Sequence, residues 1–315
     1  MKQCLVCYGE LPEGIEDYHS ACSRKLFGTN KPPKIEFDRG SITQLAVEVI
    51  RSQTTLTGVQ PKLSLDINKG GAGVPSRFTV VGLWGRYILK PQSDKYRHLP
   101  ELEDVTMHLA ELVKIDVVPH GLMHMADGEL SYITRRIDRT NKGNKLPMED
   151  FCQISNRLTE HKYKGSHEQI AKLIKEHSSR PTFDLLSYWE VVLFCWLVGN
   201  SDMHLKNFSL YSPRKEAGFQ LTPAYDMLST KLVIPEDKEE LALTLCGKKS
   251  KLKGEHFASA MRESGVSDKV IENAFIKFNQ VSTEWFSFIA KSFLPSDMKN
   301  AFQELISENL LRLNI

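Results

Sequence analysis

The chain has 315 residues, 41% of them hydrophobic and 25% charged, an ordinary globular composition that argues against disorder on a large scale. That length suffices for one large domain or for two lobes sharing a cleft, with a substantial core. Lys and Arg number 41 against 39 Asp and Glu, a net charge of +2, which gives no case for non-specific nucleic-acid binding or an acidic tail. Function must therefore come from a site and not from bulk charge.

The N-terminal stretch lacks the long apolar core of a signal peptide. The most apolar run, Tyr188 to Gly199, is broken by Glu190 and is shorter than the roughly 20 residues that span a bilayer. It reads as a buried helix, and the chain as a cytoplasmic one with no membrane partner. Six cysteines are too few for a disulfide scaffold in a chain of this size.

Residues 1–30 form a Cys/His segment. Cys4-Leu-Val-Cys7 and His19-Ser-Ala-Cys22 make two close pairs of soft ligands, a set that suits tetrahedral Zn²⁺. So short a segment, with few large apolar side chains, would gain stability from a metal. The plainer alternative makes Cys4 and Cys7 small buried hydrophobes and His19 the cap of a turn. Lys31-Pro-Pro-Lys-Ile then reads as an extended connector.

Residues 31–139 are expected to be strand-rich. Ser41 to Arg51 has helical spacing, and Lys62 to Ile67 alternates as a strand does. The runs Arg77 to Leu83 and Arg86 to Lys90, separated by Trp84-Gly85, suggest a hairpin. Glu101 to Lys114 places Leu102, Val105, Leu109, Leu112 and Val113 on one helical face, and two further strands flank Ala126-Asp-Gly. From 140 to 315 helix dominates: 184–198, a segment around Val270 to Phe278, and Met298 to Leu311, with a short hairpin formed by 207–211 and 218–222. The expected fold class is α+β, with a small strand-rich lobe and a larger helical lobe.

Chemistry concentrates directly after the buried helix. In Gly199-Asn-Ser-Asp202-Met-His204-Leu-Lys-Asn207 an Asp and an Asn lie five residues apart, the spacing of the protein-kinase catalytic loop. A carboxylate there orients the attacking hydroxyl, and an amide oxygen a short loop away coordinates Mg²⁺. Downstream, Asp226 supplies a second acid for the metal. The bland alternative is a polar turn capping a helix. Upstream, Lys90 ends a strand as the phosphate-pairing kinase lysine does. Glu101 and Glu103 on the next helix are both candidate partners, Glu103 fitting the register slightly better. The hydroxyl-rich stretch Thr54 to Lys62 has one glycine and is neither a three-glycine kinase loop nor a Walker loop. Its backbone N–H groups and Lys62 can still meet phosphate oxygens.

Six motifs occur in order: Thr55-Leu-Thr-Gly-Val-Gln-Pro-Lys-Leu63, Ile88-Leu-Lys-Pro91, Arg136-Ile-Asp-Arg139, Leu146 to Gln153, Gly199 to Ser209 and Tyr225-Asp-Met-Leu-Ser229. Together they resemble the HipA-family serine/threonine kinases, the toxins of bacterial toxin–antitoxin systems. The resemblance implies a two-lobed protein-kinase-like fold, ATP and Mg²⁺ as cofactors, and Asp202, Asn207 and Asp226 as catalytic residues, Asn207 and Asp226 being the metal ligands. It further implies nucleotide contacts from Thr57, Gly58, Val59, Gln60, Lys62, Lys90, His204 and Tyr225, a hinge at Arg135, Arg136 and Ile137, and a site-lining Gln153. Autophosphorylation falls on a serine in family members; here Thr55 and Thr57 stand in that loop, with Ser52 just ahead.

The hinge differs from that of longer members, which begin it with an acid. This chain is also too short to hold their extra N-terminal subdomain, and so resembles the HipT type. In that type the subdomain is a separate protein, HipS, which acts beside a DNA-binding HipB, and the target is an aminoacyl-tRNA synthetase. The competing readings are a nucleotide-binding pseudokinase and a small-molecule phosphotransferase, which shares the Asp-x-x-x-x-Asn loop.

Overall fold

A computed structural model describes residues 2–41, 62–68, 75–81, 84–214 and 217–313. The chain divides into two compact units: Met1–Asp104 with Val118–Asn144, and Val105–Val117 with Lys145–Ile315.

The first unit is built on a five-stranded antiparallel sheet of order β2-β1-β3-β5-β4, with β1 Leu63–Asn68, β2 Arg77–Val80, β3 Tyr87–Lys90, β4 His120–His124 and β5 Leu130–Arg135. The expected hairpin between β2 and β3 is not formed. β1 lies between them, pairing Leu65 with Val80 on one side and Leu63 with Leu89 on the other. Alternation marks a strand but does not name its neighbour. Both ends of the crossing rest on β1: Val81 N–H donates to the Ser64 carbonyl, and Gly85 N–H to Ser64 Oγ at 3.0 Å. At Gly85 a Cβ would lie 2.4 Å from the Leu65 carbonyl oxygen, so glycine is needed for the approach rather than for a turn.

The helix α1 Ser20–Phe27 packs its end on this sheet, where Phe78 meets Phe27 and Tyr87 edge-to-face and Phe27 and Tyr87 are tilted to each other, with ring centroids 5.3–6.1 Å apart. The connector after it lies along β2, with Lys34 N–H donating to the Ser76 carbonyl and Phe78 N–H to the Lys34 carbonyl. Helix α2 Leu99–Leu112 follows, its residues up to Asp104 belonging to this unit and the rest to the second. Near its start the buried Asp104 accepts from Tyr8 Oη and meets His120 Nδ1, each at 2.6 Å, which fixes the Cys/His segment to the helix.

The second unit contains a small sheet of order β6-β7-β8, from β6 Met148–Asp150, β7 Ser209–Tyr211 and β8 Gln220–Leu221. Its helices are α3 Phe151–Ile154, α4 His167–His177, α5 Pro181–Leu197, α6 Gly254–Glu263, α7 Asp268–Gln280, α8 Ser282–Ala290 and α9 Ser296–Leu313. Helix α5 is central because it is apolar nearly all round. Trp189, Phe194 and Trp196 are fully buried, and Glu190, midway along, pairs with Lys277 of α7 at 2.8 Å. Among the described residues no helix is long and apolar enough to cross a membrane.

Candidate active site

The loop that carries the acidic residues is set by how α5 ends. Asn200 N–H bonds the Cys195 carbonyl and Gly199 N–H the Trp196 carbonyl, with Gly199 at φ +70°. This is the Schellman ending, in which a left-handed glycine satisfies the last carbonyls. Asn309 Nδ2 of α9 donates to the Leu197 carbonyl and, as a second donor, to that of Trp196, each at 3.1 Å. The chain leaves the helix in one direction, and the next side chains hold it there. Asn200 Oδ1 accepts from Asp202 N–H, and Ser201 N–H donates to Thr230 Oγ1.

Asp202 is exposed, and its Oδ1 accepts from Tyr163 Oη at 2.7 Å. Burial, and then the bond to Asp202, push the Tyr163 hydroxyl well above its ordinary range, so it stays a donor. His204 packs edge-on against the Tyr163 ring at 5.0 Å and is buried, its Nδ1 without a partner. Burial pulls its pKa below the usual value against the opposing pull of Asp202, with Lys162 adding to the depression. The imidazole is therefore neutral at neutral pH.

Asn207 ends a short 3₁₀ turn, Leu205–Asn207. Its Nδ2 donates to Asp226 Oδ2 at 3.0 Å, although the two lie 19 positions apart. Its Oδ1 is buried without a partner, an arrangement that normally carries a cost. Asp226 is exposed and holds a left-handed backbone, φ +61°, an uncommon conformation that tends to gather at functional sites. An acceptor oxygen lacking a donor, beside an exposed carboxylate, makes a pair of hard oxygens that could hold a divalent cation. Behind it, Tyr225 Oη meets Ser209 Oγ at 2.7 Å and the Lys206 carbonyl at 3.2 Å, so that hydroxyl is engaged in bracing the loop. Lys206 pairs with Asp150 at 2.7 Å.

In the first unit Lys90 Nζ meets Glu103 Oε1 at 2.7 Å, both side chains being buried. Glu101 instead accepts from Gln92 and meets His98, which resolves the choice between the two acids. Lys62 is exposed immediately ahead of β1. Arg135 ends β5, and Arg136 N–H donates to the Arg86 carbonyl while its guanidinium pairs with Asp138 at 2.8 Å. Gln153 closes a reciprocal cap with Asp150 at the start of α3, a signature legible in Asp150-Phe-Cys-Gln. Ser52, Thr55, Thr57, Gly58, Val59 and Gln60 lie outside the described residues. Tyr163 was missed by sequence reasoning, for it sits 39 positions from Asp202 in no motif. Cys4, Cys7, His19 and Cys22 come together, all four ligand atoms within 4.8 Å of one another.

Comparison with known proteins agrees with this geometry. The profile of the HipA-like C-terminal domain matches residues 54–285. The chain is 30% identical over 262 residues to the putative kinase Y4dM of Sinorhizobium fredii, spanning 78% of this chain and 60% of that one. It is 27% identical over 215 residues to the serine/threonine-protein kinase toxin HipA of Shewanella oneidensis, spanning 62% and 47%. The chain thus spans about half to three fifths of the length of the curated relatives it matches. Among solved structures, HipA of Shewanella oneidensis, in a complex with HipB and operator DNA, superposes with a TM-score of 0.63 at 21% identity, covering 82% of this chain and 64% of that one. The Helicobacter pylori proinflammatory kinase CtkA does so with a TM-score of 0.54 at 14% identity, covering 79% and 96%. These two likenesses establish a mixed α/β kinase-like fold. With its profile match running through the Asp202 loop and Asp226, the chain belongs to the HipA-like C-terminal domain family.

Proposed function

We propose that this chain is an ATP-dependent serine/threonine protein kinase. The observation that carries the reading is the partnerless buried Oδ1 of Asn207 beside Asp226, in the loop that also holds Asp202. Asn207 and Asp226 would hold Mg²⁺, whose chemistry is to neutralise phosphate charge and align the nucleotide. Asp202, oriented by Tyr163, accepts the proton of the acceptor hydroxyl as its oxygen bonds to the γ-phosphorus and ADP departs. Lys90, held by Glu103, is assigned to the phosphates, as is Lys62 with the glycine loop. Most of the acceleration would come from placement and charge stabilisation.

On the family resemblance we extend the reading to a toxin of a type II toxin–antitoxin system. Its expected target is an aminoacyl-tRNA synthetase, its expected partners are a HipS-like protein and a HipB-like antitoxin, and Thr55 or Thr57 is the expected autophosphorylation site. The division into a Cys/His segment at 1–30, a strand-rich lobe at 31–139 and a helical lobe at 140–315 is kept as part of that reading. The test is incubation of the purified chain with Mg²⁺ and γ-labelled ATP, with and without a synthetase. Label should enter protein Ser or Thr and should vanish in Asp202→Ala, with the melting temperature unchanged. Undiminished labelling by that variant would overturn the assignment.

A further inference from the structure

The Cys/His segment is not absorbed by the kinase reading, and its geometry is that of a metal site. The Cys7 Sγ lies 3.4 Å and the Cys22 Sγ 4.0 Å from the same atom, His19 Nδ1. Zn–S bonds of about 2.3 Å and Zn–N bonds of about 2.0 Å give a tetrahedron whose S···N edges are about 3.5 Å and S···S edges about 3.8 Å. The four atoms, all within 4.8 Å of one another, are thus near the spacing that one ion requires. All three cysteines are free thiols.

Two further observations point to a cation. His19 stands at the N-cap of α1 yet makes no side-chain capping bond to that helix. Its Nε2 lies 2.9 Å from the Glu10 carbonyl oxygen. A carbonyl only accepts, which fixes the proton on Nε2 and leaves the Nδ1 lone pair facing the sulfurs. That is the outer hydrogen bond found on histidines that ligate metals. The turn after Cys4 is also shaped for it. Cys4 N–H bonds the Gly9 carbonyl, Tyr8 N–H bonds the Cys4 carbonyl, and Tyr8 is left-handed at φ 57°. A Cβ at Gly9 would already stand 3.4 Å from Cys7 Sγ.

We propose that Cys4, Cys7, His19 and Cys22 bind one structural Zn²⁺, and that this ion holds the N-terminal segment over the outer edge of β4. The two ligand-bearing turns are joined by Leu5 N–H donating to the Asp17 carbonyl. From them, the Leu5 carbonyl accepts from Leu122 N–H at 2.8 Å, and Tyr18 Oη donates to the Leu122 carbonyl at 2.7 Å. β4 is the last strand of its sheet, and both outward backbone groups of Leu122 are satisfied by residues adjoining the ligands. Gly121 admits the segment, for a Cβ there would fall 2.9 Å from Val6 Cγ2. Binding deprotonates the thiols and releases their protons to solvent, with no redox change.

The test uses the whole chain. Metal analysis of the purified protein should give one zinc per chain. After chelation, Co²⁺ should restore a visible spectrum with thiolate charge-transfer and tetrahedral d–d bands. Cys7→Ser and Cys22→Ser should lose the metal, whereas His19→Cys should retain it and Cys246→Ser should be unchanged. Hydrogen exchange at the Leu122 amide should speed up on chelation and slow again when Zn²⁺, but not Mg²⁺, is returned. Zinc far below one per chain with no Co²⁺ uptake by the wild-type chain would overturn the proposal. So would bands that survive in both serine variants.

Discussion

Asn207 Nδ2 donates to Asp226 Oδ2 at 3.0 Å, while the amide's own oxygen is buried, the residue being 6% exposed, and has no partner. The contact fixes which way the amide faces: nitrogen toward the carboxylate, oxygen left for the cation that the proposed function assigns to the pair. Asn207→Ala removes both functions. We expect the Mg²⁺ concentration for half-maximal phosphate transfer to rise at least about tenfold, the lower end of the loss seen even for outer-shell partners of metals. Titrating Mg²⁺ in the labelling assay measures it.

Lys90 and Glu103 form a buried ion pair in the first unit, Glu103 being 2% exposed. Breaking such a pair from one side strands a charge and costs about 3–5 kcal/mol, whereas replacing both partners with apolar groups is often neutral. Glu103→Gln should therefore lower the unfolding free energy more than the joint change Lys90→Met with Glu103→Leu. Denaturant titration of the three proteins tests the order.

Tyr163→Phe should leave the fold and nucleotide affinity intact and lower kcat by up to about tenfold, the equivalent of one hydrogen bond of roughly 1.4 kcal/mol. An unchanged kcat would remove Tyr163 from the positioning of Asp202.

His167 is fully buried, its Nδ1 2.7 Å from Tyr188 Oη, and burial pushes its pKa down to about 3. The unfolded chain takes up this proton below pH 6.5 and the folded chain does not, so the unfolded state binds more protons and stability falls as pH falls. The group is neutral in both states above that pH and contributes no slope there. At pH 5 the loss from this one residue is about 2 kcal/mol. A stability profile from pH 7.5 to 5 should slope accordingly, and His167→Gln should flatten it.

Gly85→Ala forces a Cβ to within 2.4 Å of the Leu65 carbonyl oxygen. The β1–β3 pairing must then shift, at a cost of about 1–3 kcal/mol as for other overpacked sites. Thermal melts of the two proteins read it directly.

What was legible in the sequence follows from what is local. The helix α5 declares itself because nearly every side chain is apolar, and the acidic loop because its residues are close in sequence and chemically unusual. Partnerships between distant segments are another matter. Nothing in the β2 and β3 patterns says that β1 lies between them; that depends on Gly85, whose single missing carbon admits the crossing. Tyr163 reaches Asp202 only because the turn after α3 folds back, with Leu205 N–H on the Lys162 carbonyl. Two acids on the next helix are candidate partners for Lys90, with register slightly favouring Glu103; the structure pairs Lys90 with Glu103, while Gln92 and His98 engage Glu101.

The five-stranded sheet has backbone partners along both of its flanks: Leu5 and Tyr18 at Leu122, and Lys34 at Ser76 and Phe78. A binding protein that docks by lending a strand, as many do, would have to peel away one of these segments first. Recognition of this unit should therefore run through side chains on its faces, where charge-reversal scanning should disturb it.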